Sequence, residues 1–110
     1  MTNSQTPAGD YNYPKELDQK QTGIKLSVII PTLNAGSTLN QTIESLSSAK
    51  QRGIEIEIIV VDAGSTDNTK QLALEVDAKF VTSDRGRGTQ LHRGAQLASG
   101  DWFLFLHADT

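Results

Sequence analysis

No cysteine occurs among the 110 residues, so neither a disulfide framework nor a thiolate metal site is open to this chain. A basic tract is missing too. Ten Lys and Arg against thirteen Asp and Glu leave a formal net charge of −3, which gives no electrostatic footprint for nucleic acid. Apolar runs are short, and none approaches the roughly 20 residues needed to span a bilayer. The N-terminus lacks the basic-then-apolar order of a signal peptide. Neither a G-x-x-x-x-G-K-[ST] phosphate loop nor a G-x-S-x-G nucleophile elbow is present. What remains is one domain of a cytoplasmic protein.

Residues 1–23 are polar, with Pro7, Gly9 and Pro14 and only scattered apolar side chains. Such a segment cannot bury enough to offset its ordering entropy and reads as a disordered tail, leaving 24–110 as the folded part.

The most informative stretch is residues 55–67, EIEIIVVDAGSTD. Its β-branched run fits a strand covered on both faces, as in a parallel sheet. The run stops at Asp62, and Ala63 to Asp67 have turn and helix-cap chemistry. A carboxylate at the carboxyl end of a parallel strand stands where open α/β sheets bind ligands. Asp62 is therefore the leading candidate for a ligand contact, with a turn or cap carboxylate as the alternative.

A second strand is expected over residues 26–30, ended by Pro31, which cannot continue a ladder. Leu39, Ile43 and Leu46 then mark one face of a helix, with a Thr38–Gln41 capping box and a stop at Gly53. After the 55–62 strand comes a helix from about Asp67 to Val76 and a short strand at Lys79-Phe80-Val81. The loop over residues 83–88, SDRGRG, leads into a helix over 89–99 carrying Leu91, Ala95 and Ala98. Gly94 inside that helix implies a close neighbour. Trp102 to Leu106 is the last strand, with Trp102 expected in the core. This β-α-β-α-β-α-β order predicts an α/β fold, a Rossmann-like parallel sheet in the order 3-2-1-4. The order reverses between the first and fourth strands, so Asn34, Asp62, Asp67, His107 and Asp109 converge on one rim. The glycines at 86 and 88 match a dinucleotide fingerprint only weakly, because Leu91 stands at the third glycine position.

Four segments carry a resemblance: SVIIPTLN (27–34), IIVVDAGSTD (58–67), SDRGRGTQLHRGAQLASGD (83–101) and FLFLHADT (103–110). In this order and spacing they resemble the N-terminal half of a family 2 glycosyltransferase of GT-A fold, in the subgroup whose metal motif reads His-Ala-Asp. The resemblance implies a nucleotide-diphosphate sugar, most simply a UDP-sugar, and a divalent metal, Mn²⁺ or Mg²⁺. It makes Asp62 the base contact, with Pro31, Thr32, Asn34, Ser65 and Asp67 lining that part of the site. Arg85 or Arg87 approaches the diphosphate. Asp109 binds the metal; His107 either joins it, an imidazole suiting Mn²⁺ better than Mg²⁺, or touches the donor sugar. Ala35 stands where the family often has Glu. The family's general base and acceptor pocket lie past the metal motif, on a segment these residues do not include, so no catalytic residue is assigned. The fourth strand is then left as an apolar edge open to self-association. The alternatives are a non-catalytic fragment and a different α/β nucleotide-binding module.

Overall fold

The β-branched runs become the two central strands. In the computed structural model, which describes residues 23–108, β1 is Lys25–Thr32, β2 Glu55–Asp62, β3 Lys79–Thr82 and β4 Trp102–Phe105. All pairs are parallel and the sheet order is β3-β2-β1-β4, as expected from sequence. The expected tail, apart from Gly23, and the metal candidate Asp109 lie outside the described residues.

The helices are α1 (Leu39–Glu44), α2 (Ser47–Gln51), α3 (Thr69–Glu75) and α4 (Arg87–Leu97). Alternation along the strands gives the sheet two apolar faces. Val28, Ile30, Ile58 and Val60 face one way and pack with Leu39, Leu46 and Ala73. Ile29, Ile59 and Val61 face the other and are covered by Leu91, Ala95 and Ala98 of α4 and its end. Gly94 lies against Ile29 and Val61, where a Cβ would collide with both side chains. The close neighbour expected from that glycine is thus the sheet itself.

β1 does not stop at Pro31. It continues to Thr32, because Pro31 interrupts pairing on one side only. Odd-numbered residues of β1 bond toward β4: the carbonyls of Lys25 and Ile29 accept from Asp101 and Leu106 N–H at 2.7 and 3.1 Å. Even-numbered ones bond toward β2, where the Thr32 carbonyl accepts the Ala63 N–H at 3.0 Å. Pro31, which has no N–H, falls on the β4 side, beyond the last paired rung Ile29–Phe105.

The single helix expected after the first strand is two short ones. Ser45 Oγ donates to the Thr42 carbonyl at 2.6 Å, and the Leu46 N–H closes a tight turn on the Ile43 carbonyl at 3.0 Å. Thr38 precedes α1 but makes no side-chain cap bond, so the expected capping box is not formed. Its hydroxyl donates instead to the carbonyl of Ala108. Gly53 (φ 87°) ends α2 as expected, with Gly53 and Ile54 N–H groups bonded back to Lys50 and Ala49, a Schellman closure. α4 starts at Arg87, two residues before its expected beginning.

β4 carries Trp102, Phe103, Leu104 and Phe105 exposed. Trp102, expected in the core, is 65% exposed, because β4 is an edge strand and neither apolar cluster of the described residues extends over its faces.

At the amino ends of the strands, Glu57 accepts from Ser27 Oγ at 2.7 Å and from the Ser99 N–H at 3.0 Å, and pairs with Lys79. Burial pushes its carboxyl up, but the bonds from Lys79, Ser99 and Ser27 and the Lys79 charge outweigh this and bring it down to about 2.

Candidate functional site

The carboxyl ends of β1 and β2 are register partners through Thr32 and Asp62. Both side chains are buried, and the Thr32 hydroxyl donates to Asp62 Oδ1 at 2.6 Å. Ser65 donates to the same oxygen through its hydroxyl. The other oxygen, Oδ2, accepts the Gly64 and Ser65 N–H groups at 3.0 and 2.7 Å. An ionised carboxylate offers about four acceptor positions, and all are filled. Burial pushes the Asp62 carboxyl up, but these bonds from Ser65, Thr32 and Gly64 prevail and hold it below its ordinary value.

Beside Asp62, the loop after β1 is fastened to the loop after β2 one amide at a time. The Asn34 N–H donates to Ser65 Oγ at 2.7 Å, Ala35 N–H to Thr69 Oγ1 at 2.9 Å, and Gly36 N–H to Asp67 Oδ2 at 2.8 Å. Asn34 returns the contact by accepting the Thr66 N–H on Oδ1 at 2.8 Å, and its φ of 55° is a conformation Asn tolerates better than most residues. Asp67 also accepts from Thr69, and that bond, with the one from Gly36, holds its carboxyl below the ordinary value.

A cleft of about 230 Å³ opens between the end of β1, the start of α4 and the segment after β4. Its walls are Pro31, Thr32, Leu33 and Ala35 on one side and Arg85, Gly86, Arg87 and Gln90 on the other, with His107 alongside. Arg85, Arg87 and His107 are exposed there. The nine candidates among the described residues therefore divide. Pro31, Thr32, Arg85, Arg87 and His107 share one cleft; Asn34, Asp62, Ser65 and Asp67 form the mesh behind it, with Thr32 common to both. The cleft is small beside the 300–1,000 Å³ of whole-ligand pockets and suits one end of a longer molecule.

One side chain, Gln90, was not singled out by sequence reasoning, and a second, Thr38, was given only a helix-capping role. Gln90 is 6% exposed and donates through Nε2 to the carbonyls of Val61 and Thr32 at 2.9 and 3.1 Å. The signal was present: Gln90 is a polar residue one turn before Gly94 on the inward stripe. Thr38, which holds the carbonyl of Ala108, gave no such signal, because its partner is 70 residues away.

No group of three or more His, Cys, Asp or Glu side chains that could hold a metal occurs among the described residues. Among the described residues the cleft offers one candidate metal donor, the His107 imidazole, so a cation held there would have to draw most of its shell from phosphate oxygens. His107 faces the cleft, and Asp109 follows two residues later.

The model of the family described as glycosyl transferase family 2 matches residues 27–110. The chain belongs to that family. A glucosyl-3-phosphoglycerate synthase of Mycobacterium tuberculosis is 33% identical over 103 residues, covering 86% of this chain and 32% of the relative. A dolichol-phosphate mannosyltransferase of Pyrococcus furiosus is 37% identical over 92 residues, covering 78% and 26%. The crystal structure of the M. tuberculosis synthase in complex with Mn²⁺, uridine diphosphate and glucosyl-3-phosphoglycerate superposes with a TM-score of 0.69 at 30% identity, over 90% of this chain and 40% of that one. The parallel sheet and its helices are thus those of a GT-A glycosyltransferase. The family 2 sequence here spans between about a quarter and a third of the length of these curated relatives.

Proposed function

We propose that residues 24–110 are the donor-binding half of a GT-A glycosyltransferase, and that the cleft takes the diphosphate end of a UDP-sugar for glycosyl transfer to a hydroxyl acceptor. The observation that carries this is the convergence of Arg85, Arg87 and His107 with Thr32 on one small cleft. Guanidinium groups are matched to phosphate oxygens in both charge and geometry.

In this reading the base lies over the mesh, and its imide N–H takes the place of the Ser65 hydroxyl on Asp62. Asn34, Ser65 and Asp67 then act by fixing the two loops rather than by touching the donor. Arg85 and Arg87 hold the diphosphate and offset its charge. His107 and Asp109 would hold the divalent metal, Mn²⁺ or Mg²⁺, which when bound supplies further neutralisation of charge on the leaving diphosphate. As the sugar–phosphate bond breaks, the acceptor oxygen bonds the anomeric carbon and its proton passes to a base; none of these residues is assigned that role. No helix among the described residues is long and apolar enough to cross a membrane. With no thiol to protect or oxidise, the chain suits a reducing compartment, and the proposed location is the cytoplasm.

Calorimetric titration tests the reading. UDP with Mn²⁺ is expected to bind, more weakly after chelation of the metal and in Asp109→Ala or Arg87→Ala. Binding of NAD⁺ with none of UDP would overturn it in favour of a different nucleotide module.

A second reading concerns β4, which lines up Trp102, Phe103, Leu104 and Phe105 exposed with no charged residue among them. An uncharged, apolar edge strand is a template for another strand, and we propose that the isolated chain self-associates there. Trp102 is the only tryptophan, so its emission should shift to the blue as concentration rises. Emission independent of concentration would remove this reading.

A further inference from the structure

We propose that Gln90 is a positioning residue for the diphosphate end of the donor, an inference that rests on the reading of the cleft given above. Gln90 is the fourth residue of α4 and is buried beneath the Arg85–Gly86–Arg87 segment. Both protons of its amide are committed, one to the Thr32 carbonyl at 3.1 Å and one to the Val61 carbonyl at 2.9 Å. Its oxygen faces the Gly86 N–H at 3.4 Å. One side chain therefore joins the ends of two strands to the residue that separates the two arginines. Gly86 has φ 138°, a backbone conformation that side-chain-bearing residues rarely adopt. The path of the arginine segment is consequently set by that glycine, by the Gln90 N–H bonded to the Gly86 carbonyl at 2.9 Å, and by the side-chain amide, which alone ties that turn to the strand ends.

Packing alone does not ask for glutamine here. An apolar side chain of the same length would fill the space, and burying an amide is unfavourable unless it is bonded. Nor do the strand ends depend on it, since the Thr32 carbonyl already accepts the Ala63 N–H at 3.0 Å. What the amide adds is a fixed offset between Thr32 on one wall and Arg85 and Arg87 on the other. In its absence the helix start remains attached to the sheet through Leu91 and Gly94, but the segment before it loses its reference to the strand ends. The arginines would then meet the phosphates in many arrangements instead of one.

The test compares wild type with Gln90→Met and Gln90→Leu in the full chain, titrating UDP and uridine, each with Mn²⁺. Met keeps an unbranched side chain of similar length and serves if the Leu variant does not fold. Wild type is expected to prefer UDP. The Met variant should lose about tenfold in UDP affinity, equivalent to about 1.4 kcal/mol, with uridine affinity unchanged. Trypsin cleavage after Arg85 and Arg87 should become faster at an unchanged melting temperature. A UDP-to-uridine ratio equal to wild type would overturn the role of Gln90. If wild type binds neither ligand, the cleft reading fails instead, and the cleavage rates alone decide whether Gln90 holds the segment: rates equal to wild type would sink it.

Discussion

The Thr32 hydroxyl and the Asp62 carboxylate face each other at 2.6 Å across the ends of β1 and β2, both buried. That contact joins the cleft wall to the mesh behind it. Thr32→Val keeps the shape and removes the donor. A hydrogen bond to a charged group contributes about 1.5–3 kcal/mol, so the variant should lose stability in that range. Urea unfolding at neutral pH measures it; a loss indistinguishable from zero would mean that the Ser65 and Gly64 donors suffice.

Acid should destabilise the domain through Glu57 and Asp62, with the exposed Asp67 carboxyl, also held low, adding to the same trend. Glu57 is lowered from 4.5 to about 2, and Asp62 is lowered as well. A depressed folded-state pKa contributes stability that is fully present above the unfolded value and is lost as pH falls through the folded value. For Glu57 that window runs from about 4.5 down to about 2. Glu57→Gln should flatten this part of the urea midpoint-versus-pH curve while leaving the Asp62 part. An unchanged slope would show that Lys79 and Ser99 do not hold Glu57 in solution.

The loop fastening can be read one amide at a time by hydrogen exchange. Ser65→Ala should speed exchange at Asn34, Thr69→Val at Ala35 and Asp67→Ala at Gly36, because each side chain accepts from one of these amides. The two amides not addressed should change less. Uniform acceleration of all three would mean that the loop opens as a unit.

Gly94→Ala opposes two effects. Alanine favours the helix by about 1 kcal/mol, but its Cβ would enter space held by Ile29 and Val61. Overpacking costs about 1–3 kcal/mol, and a backbone-to-sheet contact leaves little room to relax. A net loss of melting temperature is expected. A gain would show that α4 moves off the sheet without penalty.

Much of this arrangement could be read from residue order. The two β-branched runs identified β1 and β2, and short connections with turn residues gave the strand order. Gly94 announced the close approach of α4. Position along the chain could not disclose where individual hydrogen bonds go. Asn34 and Asp67 stood out as polar residues near strand ends, and the family likeness added Ser65, but nothing in residue order shows that all three also fasten the two loops together. Thr38 looked like a helix cap, but its hydroxyl is claimed by Ala108, a partner brought near only when β4 is added. Pro31 looked like a strand end because nothing in sequence says which side of a strand a missing N–H will face. Trp102 was misplaced for a related reason: size argues for burial, and only the sheet order puts it on an edge.

That one-sided interruption at Pro31 has a lasting effect on the shape of the molecule. Any other amino acid there would supply an amide hydrogen, and the outer strand could zip one rung further toward the rim. The notch would then narrow before a guest arrived. With an imino acid in place, that rung lacks its donor in every conformation the surrounding loops adopt.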